Sequence, residues 1–385
     1  MKHLILVLLL VISSGFSAQT SDKYNDSYAA FYKAEDLFAK QQFASARIAF
    51  RDFVNSQTNE NDPYYIKALY YEGLSALELF NNDAIGLLEN FNQDYPESIY
   101  KHQIYFRLGK YYFQKRDYES TIYWFNQLTK FQVLDNKDEY FFKLGSSYFE
   151  LGDFLKARDA FYEVKDSQTN YGPPSLYHYS HIAYQDKSYQ SALDGFQKLV
   201  LLKQFKSLSQ QYIVQIYYRL KRYNEVVKVG PSYLDSLNGA ALIEMNHLIG
   251  DAYFELEKYD EAVPYLTAYN HKVRTTRTED YELAYALYKS SSYKQAIQLF
   301  DRVAKVKDTI GQIALYHVGE CYLKLDNNAY ARTAFEAAAV IAINDKIQED
   351  ALYNYAILSY KLDINPYDEA IEALELYLTK YPNSG

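Results

Sequence analysis

The sequence predicts an all-α protein, a solenoid of about ten antiparallel helix pairs stacked in chain order. Three observations carry this. Small residues and rings recur together at steps of 36, 35, 34, 36, 34 and 35 residues along most of the chain. Within each period the apolar positions follow the helical i, i+3, i+4, i+7 spacing, broken once by a short polar turn. The composition also suits many small interfaces better than one large core. There are 44 Tyr and 22 Phe against a single Trp, and a Tyr ring packs while its hydroxyl stays wet.

Taken in order, the chain opens with a secretory signal. Lys2 and His3 precede the apolar run Leu4 to Ile12, and small residues lead to "GFSAQT", with cleavage expected after Ala18. The run is too short to span a bilayer. Residues 19–26 read as a linker and 27–385 as the repeat array. Its first two units are weak: Ala34, Leu37, Phe43, Ala46 and Phe50, then Gly73, Ala84, Leu88 and Pro96.

Seven units in register follow. Their first helices carry Gly109, Gly145, Ser180, Val214, Gly250, Ala284 and Gly319. Twelve residues later come Thr121, Ala157, Ala192, Val226, Ala262, Ala296 and Ala331. Four further on stand Phe125, Phe161, Phe196, Gly230, Leu266, Phe300 and Phe335. A small residue on each helix lets the two backbones cross closely, and the later Phe is the knob between its own pair and the next. One pair cannot bury such a face alone, so pairs stack. The sixth unit departs from this pattern: Gly230-Pro231 should kink or end its second helix and change the curvature between about 226 and 242. A last unit is signalled by Tyr367, Ala370, Leu374, Tyr377 and Pro382.

These residues resemble the tetratricopeptide repeat, with Leu108-Gly109, Tyr112, Thr121 and Phe125 in one unit. Leu144-Gly145, Tyr148, Ala157 and Phe161 match in another, and Ile249-Gly250, Tyr253, Ala262 and Leu266 in a third. The resemblance implies a right-handed superhelix whose concave groove receives extended peptides or partner helices. The stretch "DYPESIYKHQIYFRLGKYYFQKRDYESTIYWF", residues 94–125, is similar to the tetratricopeptide proteins of Gram-negative envelopes. It implies an exported protein of the periplasm or the periplasmic face of the outer membrane, with other envelope proteins as partners. The only cysteine, Cys321, lies far from the cleavage site, so no lipid anchor and no disulfide are expected.

Other function classes find little support. Net charge is −9, and the densest basic patch (His271, Lys272, Arg274, Arg277) runs into Glu279 and Asp280, which reads as a solvated inter-helix segment. Nucleic acid is therefore not an expected partner. No later segment is long and apolar enough to cross a membrane. No nucleophile, phosphate-loop or zinc-protease motif occurs, so neither catalysis nor a cofactor is expected. His178 and His181 lie three apart on one helix without a third ligand, and no metal is expected. Cys321 reads as a small buried filler. Asn25-Asp26-Ser27 fits a glycosylation acceptor but follows a bacterial type of signal.

What remains is an aromatic stripe on the first helices. Counting the Gly109 site as position 8, position 12 holds Phe113, Phe149, Tyr184, Tyr218, Phe254 and Tyr288. Position 5 holds Phe106, Phe142, Tyr177, His247, Tyr281 and Tyr316, and His181 joins them from position 9. Both positions lie roughly 100–130° around the helix from the core stripe. The resemblance places that side in the concave groove, although rings there also pack against neighbouring helices. The Asn that a chaperone-tail carboxylate clamp needs at position 9 is missing. The expected function is a non-catalytic envelope scaffold that binds protein segments in this groove. The alternative is a glycan binder whose rings stack on sugars, and an enzyme would need a further domain beyond residue 385. Because "KYPNS" repeats the form of "DYPES", an eleventh repeat is expected after Gly385, or else a second copy or partner covering the open end.

Overall fold

The computed structural model describes residues 28–362 and 369–382. The expected signal at 1–18, the linker at 19–26, the Asn25–Ser27 acceptor, Tyr367 and the last three residues lie outside them. The chain divides into two compact units, Met1–Tyr179 and Ser180–Gly385.

The described part of the first unit holds α1 (Ala29–Ala39), α2 (Phe43–Ser56), α3 (Pro63–Glu78), α4 (Ala84–Asp94), α5 (Lys101–Gln114), α6 (Tyr118–Phe125), α7 (Lys137–Glu150) and α8 (Phe154–Tyr162). The unit boundary falls within α9 (Gly172–Gln185). The second unit continues with α10 (Tyr189–Leu199), α11 (Lys206–Arg219), α12 (Tyr223–Val229), α13 (Gly239–Glu255), α14 (Tyr259–Asn270) and α15 (Arg277–Lys289). It ends with α16 (Tyr293–Val303), α17 (Thr309–Lys324), α18 (Asn328–Val340), α19 (Asp345–Leu362) and α20 (Glu369–Lys380). Among the described residues these make ten helix pairs and no strand, as the periodicity predicts.

Among the described residues nine of the ten pairs are closed by the same device. A single residue adopts a left-handed backbone at Gln41, Phe80, Arg116 and Gly152 in the first unit. Lys187, Lys221, Glu257, Ser291 and Asp326 do so in the second, with φ between 54° and 80° across the nine turns. At Arg116 the N–H donates to the Phe113 carbonyl (3.0 Å) while the next N–H, of Asp117, donates to Tyr112 (3.0 Å). That pair of hydrogen bonds satisfies carbonyls that a helix end would otherwise leave open. Eight of the nine residues carry a side chain, at about 1–2 kcal/mol of steric strain each. Asp117 and Asp153 then cap the following helices through the N–H groups of Ser120 and Lys156.

The core is the crossing point foreseen from sequence. Phe125, Phe161, Phe196, Phe300 and Phe335 are fully buried, and so are Thr121, Ala157, Ala192, Ala296 and Ala331. A Cβ added at Gly109 would lie 2.3 Å from the Phe125 ring, and one at Gly319 would lie 2.7 Å from Phe335. The small residues are there because the knob takes their space.

In the sixth pair α12 stops at Val229, and Gly230–Ser236 continues as a 3₁₀ helix with Pro231 in its first turn. The Gly-Pro pair thus ends the helix as expected, and Gly230 abuts Ile249 so closely that a Cβ would meet it at 2.7 Å. Beyond nearest neighbours in the chain, helix contacts run between first helices. These are α1 with α3 and α5 with α7 in the first unit, then α11 with α13, α15 with α17 and α17 with α19 in the second. Side chains also meet between α3 and α5, where Tyr70 donates to Gln103, and between α13 and α15, where Phe254 meets Tyr285, so the first helices form a layer within each unit.

One sequence reading needs correcting. His271, Lys272 and Arg274 are exposed, as a solvated segment should be, but Arg277 is not part of it. Its guanidinium reaches Asp308 (2.7 and 2.9 Å) and donates to the Val303 carbonyl, tying the start of α15 to the segment before α17. A two-pronged Arg–carboxylate contact thus fixes successive pairs together.

Candidate partner-binding face

All thirteen candidate side chains are half-buried, neither core nor fully open. The first-helix layer explains why: rings along it pack one side on a neighbouring helix. In the first unit Phe106 stacks on Phe125 (centroids 5.8 Å apart), Phe142 meets Phe161 and Tyr171, and Phe149 meets Phe154 and His178. Tyr177 contacts His178 edge-on at 5.3 Å. The Lys143 ammonium lies 4.4 Å above the centre of Phe113 and 3.7 Å from the Glu139 carboxylate. Lys110 also pairs with Glu139 (2.9 Å) and lies over Phe106, while Arg107 pairs with Glu78. Cations on this face are thus matched by acids of the same unit.

In the second unit His181 Nδ1 is 2.8 Å from the Tyr212 hydroxyl, and Tyr212 in turn touches Tyr184 and stacks on Phe196. Burial lowers the pKa of His181. Tyr218 donates to Asp251 at 3.2 Å. His247 stacks on Tyr269 and stands 3.2 Å from Asp251 and 3.6 Å from Glu279. Phe254 contacts Tyr259 and Tyr285, Tyr281 contacts Phe300, Tyr288 contacts His317, and Tyr316 contacts Phe335. Burial, and then Asp251 for Tyr218 or Glu320 for Tyr288, pushes these phenols well above their ordinary range, so they are neutral hydrogen-bond donors.

Sequence reasoning missed position 6, whose side chain reaches back to the position-12 ring of the preceding unit. Lys143 serves Phe113, His178 serves Phe149, Tyr212 serves Tyr184 and His317 serves Tyr288. No composition signal marks the site, because the residue type changes in every unit. It also missed a group of acids. Burial raises the carboxyl pKa of Asp251, and burial followed by the charges of Asp251, Glu279 and Glu255 pushes Glu282 up to about 7.

The remaining candidates are structural. His178 stacks on Phe161 while His181 serves Tyr212, and among the described residues no three His, Cys, Asp or Glu side chains are placed to share a metal. Cys321 is fully buried, as expected of a filler, and burial pushes its thiol up to about 12. A cleft of about 650 Å³ opens between α14 and α16 over Leu283 and Leu287, and it contains none of the thirteen candidates. Among the described residues no helix is long and apolar enough to cross a membrane.

Three family models, each described as tetratricopeptide repeat, match residues 281–346, residues 139–168 with 350–384, and residues 243–269. No curated protein matches the sequence. Among solved structures the chain is similar to YrrB, a TPR protein with an unusual peptide-binding site. That match is 16% identical, covers 50% of this chain and 98% of that one, and has a TM-score of 0.42. A tetratricopeptide repeat protein from Parabacteroides merdae is 14% identical over 63% of this chain and 99% of its own, with a TM-score of 0.37. The C-terminal part of a repeat protein from Cytophaga hutchinsonii is 17% identical over 72% and 96%, with a TM-score of 0.31.

Proposed function

This chain is a tetratricopeptide-repeat protein, and we propose that it is a protein–protein interaction scaffold of the cell envelope. On this reading it holds a peptide or helix segment of its partner on the aromatic face of its first helices. The observation that carries the proposal is the first-helix layer itself. Along it, rings at positions 5 and 12 are anchored on one side and remain half-exposed on the other. Rigid rings already held in place give apolar contact at low entropic cost to an incoming segment. The export half of the proposal rests on the sequence of residues 1–18.

The test is a pull-down from solubilised envelopes, read by mass spectrometry, with wild type and the Phe149→Ala, Tyr184→Ala, Phe254→Ala triple variant. Partner recovery is expected to fall while helicity is retained. Equal recovery by a still-folded triple variant would remove the aromatic face from the account.

A further inference from the structure

The first unit contains its own template of a bound cation. Lys143, at position 6, lays its ammonium over the position-12 ring of the preceding pair, Phe113, with Glu139 at 3.7 Å as counter-charge. Ring, cation and acid are all supplied by the chain, and the arrangement needs nothing from outside. In the second unit Phe254 occupies position 12 of α13, and position 6 of the next first helix, α15, is Glu282. An acid stands where the first unit has its lysine.

Around it the acids continue. Asp251 and Glu255 come from α13 and Glu279 from α15, and the Tyr218 hydroxyl of α11 donates to Asp251. His247, also of α13, is the base paired with Asp251 and Glu279. Among the described residues Glu255 and Glu282 have no ion pair, and Asp251 Oδ1 is buried without a hydrogen bond. From α17, His317 and Glu320 reach the same aromatic face, where they pair with each other. The rings here already accept an ammonium: Lys289 lies 5.9 Å from the centre of Tyr259 and 5.5 Å from that of Tyr285.

Resting on the reading of the first-helix layer as the docking surface, we propose that the segment held by the second unit is cationic. Its Lys or Arg side chain enters beside Tyr218 and Phe254 and is met by the carboxylates of Asp251 and Glu282. The partner supplies the cation that Lys143 supplies internally in the first unit. Charge complementarity of this kind selects the partner and its register more than it adds affinity. A bound cation favours the ionised carboxylates, so Glu282, whose carboxyl titrates at about 7, gives up its proton on binding at lower pH.

The experiment uses the full chain and three dye-labelled peptides of equal length and equal Leu and Phe content, whose remaining positions are all Lys, all Gln or all Glu. Fluorescence anisotropy at physiological salt is expected to show the Lys peptide binding at least tenfold tighter than the Gln peptide, and the Glu peptide weakest. Asp251→Asn with Glu282→Gln, isosteric changes that remove buried charge, should cut Lys-peptide affinity about tenfold and leave Gln-peptide affinity unchanged. An Asp52→Asn, Glu89→Gln control, exposed acids of the first unit, should change neither. Affinity of the wild type for the Lys peptide should rise between pH 6 and 8, and that rise should shrink in the Glu282→Gln background. If the Gln peptide binds as tightly as the Lys peptide, the groove reading stands and the cationic partner falls. If no peptide binds, both fall. Loss of Lys-peptide affinity in the control equal to that in the Asp251, Glu282 variant means diffuse attraction to a net-negative protein and also overturns the proposal.

Discussion

Replacing Gly109 with Ala should destabilise the protein, while the same replacement at Gly86 should stabilise it. Both glycines lie inside helices, α5 and α4, where Ala is favoured by about 0.5–1 kcal/mol. They differ in what a methyl group would meet. At Gly86 nothing lies within 4 Å, so the propensity gain stands. At Gly109 the new carbon falls 2.3 Å from two atoms of the Phe125 ring, which is fully buried and cannot swing aside. Overpacking of this kind costs about 1–3 kcal/mol, and contacts this short belong at the upper end. The net expectation is a loss of about 2 kcal/mol at Gly109 and a gain of up to about 1 kcal/mol at Gly86. Gly145, whose Cβ would sit 3.0 Å from Phe161, should fall between them, near zero. Urea unfolding followed by helical circular dichroism measures the shift. With two compact units the transition need not be two-state, so midpoints of the first-unit transition are compared. Adding Phe125→Leu should lower the cost of Gly109→Ala, giving a coupling of about 1–2 kcal/mol. If Gly109→Ala and Gly86→Ala shift the midpoint alike, and the Leu background changes nothing, the crossing-point explanation of the repeated spacing is wrong.

Glu282 makes stability pH-dependent with a fixed sign. Its folded pKa, about 7, lies above the ordinary 4.5, so the folded state holds its proton more tightly. Its contribution is fully present below about pH 4.5 and is lost as pH rises through about 7. Glu282→Gln should therefore stabilise the protein at pH 8, by about 1–2 kcal/mol after discounting for partial exposure, and by little at pH 4. A variant equally shifted at both pH values would contradict this. For export, mature protein from the periplasmic fraction should begin at Gln19, and an intact Met1 on membrane-embedded protein would defeat the expectation.

Legibility followed chemistry. The Gly109, Thr121 and Phe125 sites could be read because close helix crossing allows few residue types, and the same restriction exposed Gly230-Pro231 as a helix end. The turns could be placed, at "KRDY", "LGDF" and "LEKY", but their left-handed backbone could not. A left-handed residue is visible in sequence when it is Gly152, but Arg116, Lys221 and Glu257 adopt the same backbone with no compositional mark. The aromatic stripe was visible in register, whereas its packing was not. Whether Phe149 is core or open depends on His178, a residue of the next pair. The acids at 251, 255, 279 and 282 were hidden for a related reason, since they gather across two helices. On α13 alone His247, Asp251 and Glu255 look like an ordinary solvated ladder at i, i+4.

The left-handed turns also decide where this chain tolerates a change in length. From Gly109 to Phe125, Gly145 to Phe161 and on to Gly319 to Phe335, every crossing glycine site stands sixteen residues before its knob, in all seven units. Each of those intervals contains one turn with no spare residue. From each knob to the next crossing site the count drifts between eighteen and twenty, and there the 3₁₀ segments Lys130–Asn136 and Gly230–Ser236 are found. A residue inserted within a pair would rotate one helix by about 100° and pull the knob off its partner, whereas one inserted between pairs is absorbed by a surface connection. The pair is thus the indivisible unit for engineering. Tags, labels or grafted loops belong after residues such as Gln168 or Gln204, and never at the turns.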